Sequence, residues 1–354
     1  MVPNPFFGVF LHALGGFAAG SFYIPYKKVR GWAWESYWLA GGFFSWIIAP
    51  WVAAYLTVGN VTQILSQAPR EALLWSYVFG MLWGIGGLTF GLSMRYLGMS
   101  LGYALALGFC AAFGTVIPPV FQGKIADVIG NSGGQLTLLG VLVCLGGIAL
   151  CGIAGVWKER ELSEEQKRAT IAEFNFTKGA LVATFAGVMS ACMAFGIAAG
   201  KPIAEMAKEM GAGAIWQNTP VFCVILLGGF TTNCLWCVAL SLKSRSLRDY
   251  IDASRGPLMA NFVFSALAGI TWYCQFFFYG MGTTQMGKYD FSSWTIHMAF
   301  IIVFSTMWGL LFHEWRGSRS RTVLLVFAGI LVLVLSTVVV GLGNYHAARV
   351  ASGS

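Results

Sequence analysis

Charge is what this chain has least of. Asp, Glu, Lys and Arg make up 10% of its 354 residues, where a soluble domain carries about 25%. With 57% hydrophobic residues and a mean hydropathy of +0.70, that scarcity excludes a water-soluble fold and implies an integral membrane protein. Carboxylates are scarcest where some transporters need them: no Asp or Glu falls inside any expected membrane span. Small multidrug exporters bind cations and protons through a carboxylate deep in a helix, so that class is disfavoured. A membrane-embedded enzyme needs a nucleophile or metal set, yet His313-Glu314 has no second His at His-Glu-x-x-His spacing. No filter-loop motif of a channel is present. The eight cysteines all sit in apolar segments and read as small core residues rather than a disulfide framework. Cys234-Leu-Trp-Cys237 has redox or metal spacing, but it lacks a second pair and lies mid-span.

Long uncharged runs fill the space that charge leaves. Ten spans are expected at 6–26, 36–58, 73–95, 98–121, 135–157, 179–200, 216–242, 257–283, 291–312 and 322–345. The first is too long, and too poor in preceding basic residues, for a cleaved signal peptide. The loops after spans 1, 3, 5, 7 and 9 hold 16 Lys and Arg, and the opposite side with both tails holds 6. By the positive-inside rule the first set is cytoplasmic and both termini face outward. The net charge of +8 is therefore a topology signal, and no nucleic-acid partner is expected.

The charged stretch 158–178, with Lys-Glu-Arg-Glu at 158–161, reads as a cytoplasmic linker between an N-terminal half (1–157) and a C-terminal half (179–354). Five spans per half is an odd number, so halves of like fold must lie inverted in the membrane. The run Gly15 to Tyr23 in span 1 is echoed by Gly187 to Phe195 in span 6, and Gly84-Ile85 followed by Gly98 by Gly269-Ile270 followed by Gly282. The expected fold is an all-α polytopic protein of ten transmembrane helices in two inverted five-helix repeats, a transporter architecture. Pro25, Pro50, Pro118, Pro119 and Pro220 should kink or break the spans that hold them.

The 31 residues from Pro257 to Gly287 contain one Lys-free, Arg-free and acid-free run, yet their centre is not plain lipid-facing sequence. Trp272, Gln275 and Tyr279 fall at i, i+3 and i+7 and share a helix face. A buried amide without partners costs a few kcal/mol. An amide flanked by aromatic rings suits a sugar, whose hydroxyls hydrogen-bond and whose C–H faces lie on π-systems. The bland alternative is an amide bonding a neighbouring helix.

Motifs along nearly the whole chain resemble those of the L-rhamnose–proton symporters. They include Phe22-Tyr23, Pro25, Lys27-Lys28, Trp32 and Trp34-Glu35 in the first loop, and Met94-Arg95-Tyr96-Leu97-Gly98-Met99-Ser100. Lys201-Pro202, Trp272-Tyr273, Gln275, Tyr279, Tyr289-Asp290, Ser293-Trp294, His297-Met298 and Glu314-Trp315 complete the set, with His12 ahead of them. The resemblance implies a ten-span transporter of the drug/metabolite superfamily that takes up L-rhamnose with a proton and keeps its termini outside, in a bacterial inner membrane. It implies a sugar substrate in the lipid bilayer and no cofactor beyond the coupling proton. The chain departs from the pattern around Gly86-Gly87-Leu88-Thr89-Phe90, which bears on the choice between rhamnose and a related 6-deoxy sugar. Another small metabolite is the runner-up substrate, and the oligomeric state is not legible.

On this reading Gln275, Trp272, Tyr273, Tyr279 and His12 are the expected sugar ligands. With no carboxylate inside a span, the expected proton carriers are His297, assisted by Asp290, and Glu35 at a span boundary. His12, His297 and Gln275 fall in one layer below the outer surface, and an unperturbed histidine titrates near pH 6.5. Lys27 and Lys28 either fix orientation or form an inner gate by pairing with Glu35.

Overall fold

The computed structural model describes residues 3–97, 99–161, 175–313, 315 and 317–352. Gly98, most of the linker (162–174) and Glu314, all singled out above, lie outside the described residues. Among the described residues there are helices and no strands, as a chain in hydrocarbon requires if each backbone group is to be satisfied within its own segment. Ten long helices follow in order: α1 (Pro5–Ser21), α2 (Trp34–Thr57), α3 (Arg70–Leu97), α4 (Met99–Phe121), α5 (Ser132–Glu161), α6 (Phe176–Ala199), α7 (Thr219–Ser244), α8 (Leu258–Thr283), α9 (Ser293–Leu311) and α10 (Ser320–Ser352). Among the described residues, nine stretches are long and apolar enough to cross a membrane, and the apolar part of α4, Leu105–Phe121, is shorter than these.

Local chemistry sets several boundaries. The side chains of Asn4 and Asn175 cap α1 and α6 by accepting from the N–H of Phe7 and Lys178. Pro220 stands in the first turn of α7, where its missing N–H is harmless. Pro50 has no N–H to offer the carbonyl four residues back. The preceding turn, Phe44–Ile48, is accordingly wound as π-helix inside α2, and Ala49 N–H reaches Phe44. Pro25 lies in a separate short helix, Tyr23–Tyr26, beyond the end of α1. Pro118 and Pro119 are accommodated within the end of α4.

One expectation is corrected here. α2 begins at Trp34, so Glu35 lies inside a spanning helix, in its first turn, and is 9% exposed. A carboxylate is tolerated there because the helix N-terminus is the positive end of its dipole, and because hydroxyls of Ser244 and Ser246 donate to Oε1.

Successive helices alternate in direction, and cross-links between loops show it. At one end Trp308 Nε1 donates to Ser21 Oγ at 2.9 Å, Asn261 Nδ2 to Arg30 O at 2.8 Å, Asn175 N to Tyr96 O at 3.1 Å, and Arg319 N to Glu161 at 2.8 Å. This end carries the loops rich in Lys and Arg. At the opposite end Asn4 N donates to Gln285, Lys201 meets Asp290, and Lys288 meets Asp127. Packing follows a regular scheme: α1 lies on α8 and α9, α6 on α3 and α4, α2 on α7, and α5 on α10. When every helix is exchanged for the one five places away, the α1 pairings map onto the α6 pairings, and α2–α7 and α5–α10 each map onto themselves.

Candidate functional site

Two cavities enter the bundle from opposite ends. The first, about 410 Å³, opens at the Lys- and Arg-rich end, with α1 and α9 along one side. Its walls include Trp38, Trp46, Trp83, Trp272, Gln275 and Asn233. Trp272 organises the aromatic wall, with ring centroids 5.6 Å from Trp46, 5.5 Å from Trp83 and 4.9 Å from Phe276. The volume lies in the range of small-molecule sites, which pair an apolar lining with a few placed polar groups.

Those polar groups are specific. Gln275 is 5% exposed, and its Nε2 is buried without a hydrogen-bond partner in the protein. The Trp46 indole N–H is likewise buried and unpartnered. Asn233 is held in place: its Oδ1 accepts from Trp38 Nε1 at 3.1 Å and its Nδ2 donates to Gly229 O at 2.9 Å. An aromatic box with free donors can take hydroxyls along one edge and a hydrocarbon face along another.

The second cavity, about 250 Å³, opens at the opposite end, with α4 and α6 along one side. It is more polar, with Lys201, Glu205, Asn218, Tyr279 and Asp290 on its walls. Lys201 Nζ lies 2.8 Å from Asp290 Oδ2, both side chains about two-fifths exposed or less. Asn218 Nδ2 donates to Gly280 O and Thr283 Oγ1, pinning α7 to the end of α8.

Trp294 lines both cavities and is the partition between them. Its indole N–H donates to Cys110 O at 3.0 Å, and it fills the space that a side chain at Gly114 would occupy. Tyr279 meets its edge with centroids 5.8 Å apart.

The expected site residues divide among these places. Trp272 and Gln275 line the first cavity, and Tyr279 lines the second. Tyr273 faces the protein core beside Phe277 and borders neither cavity. His12 and His297 are fully buried, with centroids 6.2 Å apart, each 5.2 Å from Tyr279, and neither lines either of these two cavities. Asp290 stands at the mouth of the second cavity, bonded to Lys201 rather than to histidine. Lys27 lines the mouth of the first, over the Phe312 ring at 4.4 Å. Lys28 is exposed, and Glu35 is engaged by the two serines rather than by a lysine. The eight cysteines are all free, and no group of metal-binding side chains occurs among the described residues.

Beneath the first cavity an acidic clasp ties the loop 245–257 to the start of α2. Asp249 accepts from Ala33 N at 2.9 Å, Ser36 Oγ at 2.7 Å and Arg255 at 3.0 Å. Burial pushes its carboxyl upward, but these donors outweigh burial and hold it below the ordinary carboxylate range.

Sequence reading singles out neither Trp46, Trp83, Asn233 nor Lys201 as cavity walls, and takes Trp294 only as part of a motif. One of them carries a usable signal: Asn233, like Gln275, is a side-chain amide within an uncharged run. The tryptophans and Lys201 become cavity walls only through the packing that brings α2, α3 and the end of α6 to α8 and α9.

Comparison with known proteins agrees with this geometry. Residues 2–346 match the family described as L-rhamnose-proton symport protein (RhaT). An L-rhamnose-proton symporter of Yersinia pestis (strain Pestoides F) is 38% identical over 339 residues, 95% of this chain and 97% of the relative. One from Yersinia pseudotuberculosis serotype O:1b (strain IP 31758) matches equally.

Proposed function

This chain belongs to the L-rhamnose–proton symport family, and we infer from that membership that it is a multi-pass membrane transporter, not an enzyme, moving L-rhamnose together with a proton. The observation that carries the mechanism is the pair of cavities that stop at one aromatic partition. A transporter of this build exposes one site to each side in turn, and the partition is where the sugar changes sides.

We propose that the ten helices form two inverted repeats, 1–157 and 179–354 with the linker between them. The exchange symmetry of the helix pairings supports this. So do the mouths, since α4 and α6 flank one cavity and their counterparts α9 and α1 flank the other. The loop charge supports a cytoplasmic first cavity and a bacterial inner-membrane setting with both termini outside. Sugar rests against Trp272 with Gln275 donating to a hydroxyl, and Tyr279 meets it on the outer side. Lys27 and Lys201 stand at corresponding mouths, the inner and the outer. Coupling belongs to the layer of His297 near Asp290; Glu35, already bonded to two serines, is the weaker candidate carrier.

Counterflow of labelled L-rhamnose in proteoliposomes, competed by 6-deoxy sugars and by their 6-hydroxy counterparts, tests the substrate. The reading predicts preferential competition by L-rhamnose. Equal competition by every hexose, or none by rhamnose, contradicts it.

A further inference from the structure

The two histidines are a paired feature that the sugar site does not use. His12 on α1 and His297 on α9 are both 0% exposed, and none of the four ring nitrogens makes a well-formed hydrogen bond in the protein, although the His12 backbone lies beside the His297 ring. Unpaired buried polar atoms are costly, so an arrangement that leaves four in one cluster invites a ligand for them. The rings occupy slots that absent side chains leave open. A methyl at Gly15 would stand 3.1 Å from His297 Cε1, and one at Gly282 would stand 2.8 Å from His12 Cε1. Neither ring lines either of the two cavities described, which argues against either touching the sugar.

We propose that the coupling proton is held by His12 and His297 jointly, as one proton for the pair, and that it enters through Tyr279. This rests on the proton-symport reading above. Of the three rings in the cluster, Tyr279 alone lines a cavity, and it lies 5.2 Å from each imidazole. The ring nitrogens have no bond to the Tyr279 hydroxyl in this state, so transfer follows a swing of the Tyr279 side chain: its hydroxyl gives a proton to one imidazole nitrogen and takes another from water in the outer cavity. That ring becomes imidazolium, and its neighbour stays neutral. Two like charges with centroids 6.2 Å apart repel strongly in a medium of low dielectric. The pair therefore accepts one proton where separated histidines would accept two.

Among the described residues, no charged group opposes this from the surrounding helices. α8 presents Tyr279 and Gly282, α9 presents Trp294, and α10 packs near this level through Val340 and Gly341. Asp290 and Lys201, on the cavity that Tyr279 lines, bind each other at its mouth. Asp290 then acts as the outer latch, and His12 as a coupling residue in place of the sugar-ligand role expected from sequence.

The pair is linked to the sugar site through the backbone of α1. A methyl at Gly15 would lie 2.9 Å from the Gln275 carbonyl as well as beside His297, so α1 wedges between the imidazole and the turn of α8 that carries the amide. The helices bearing the two histidines are the same two that flank the inner cavity mouth. A charge appearing between them has a direct mechanical route to that mouth.

The test uses the whole protein in lipid nanodiscs labelled with 15N-histidine. The chain has four histidines, so imidazole signals of His12 and His297 can be assigned by His12→Gln and His297→Gln. The two signals are expected to move together across a titration that adds one proton in total. Independent titration of each ring by a full proton overturns the proposal, as does failure of both to titrate while rhamnose still drives proton uptake. A second measurement reads function: the half-saturation for rhamnose counterflow against pH. In the wild type it should rise by up to about tenfold per pH unit on the alkaline side, as a one-proton linkage requires. Both single variants should flatten this dependence to under about twofold per unit, and His12→Gln/His297→Gln should add nothing further. A single variant that keeps the wild-type profile overturns the pair. If the wild type itself shows no pH dependence the symport reading fails, and the titration still decides whether the histidines share a proton.

Discussion

Tyr279 and Trp294 meet edge to face with ring centroids 5.8 Å apart, at the level where the two cavities approach each other. Trp294→Ala removes a residue that walls both. The variant should join the cavities and let protons leak: a pH gradient across proteoliposomes should decay several-fold faster than with wild type, without sugar. Trp294→Phe should restore most of the seal. A gradient as durable in the alanine variant as in wild type would show that the partition lies elsewhere.

Gln275→Ala should raise the half-saturation for rhamnose by about 10- to 100-fold, because a sugar hydroxyl left unpaired in a buried site costs about 1–3 kcal/mol. Trp272→Ala should raise it by a smaller, several-fold factor, since an aromatic contact contributes about 0.5–1.5 kcal/mol beyond area. Tyr273→Phe should leave it within twofold, because Tyr273 borders neither cavity. Counterflow at graded rhamnose concentrations measures all three.

Lys201 and Asp290 form a pair at a wet mouth, so it should contribute only about 0.2–1 kcal/mol to stability. Its effect should appear in rate instead. Lys201→Ala and Asp290→Ala should each change the rhamnose exchange rate, and the double variant should match one single variant rather than the product of both. Multiplicative effects would mean that the contact does not act as a latch.

The clasp at Asp249 makes a pH prediction. Its folded carboxyl titrates below the ordinary range, so the protons it binds in the unfolded chain exceed those in the folded one. The stabilisation is present above the unfolded value and is lost as pH falls through the folded value. Acidification below about pH 4 should therefore free the loop 245–257, read as faster hydrogen exchange at Ala33 and Ser36. Asp249→Asn should show that faster exchange already at neutral pH.

Much of this fold is legible because lipid leaves few choices. An uncharged run such as Pro257–Gly287 has one stable form in hydrocarbon, and the loop charges order the two ends. Gln275 is legible for the same reason, as an amide in such a run that demands a partner. Other features depend on packing. The helical extension to Trp34 that places Glu35 inside α2 depends on Ser244 and Ser246, two hundred residues away in sequence. The pairing of Asp290 with Lys201 instead of His297 depends on how α6 ends beside α9. No periodicity in the sequence tells that Tyr273 turns to the core while Trp272, its neighbour, turns to the cavity.

The central claim is that rhamnose and a proton cross together. Proteoliposomes holding a pH indicator, with no gradient at the start, receive L-rhamnose outside while labelled sugar entry is followed in parallel. The account predicts that the interior acidifies, saturably, at the half-saturation of rhamnose entry. It further predicts that His297→Gln abolishes the acidification. Rhamnose entering at the wild-type rate with no change of internal pH would contradict it.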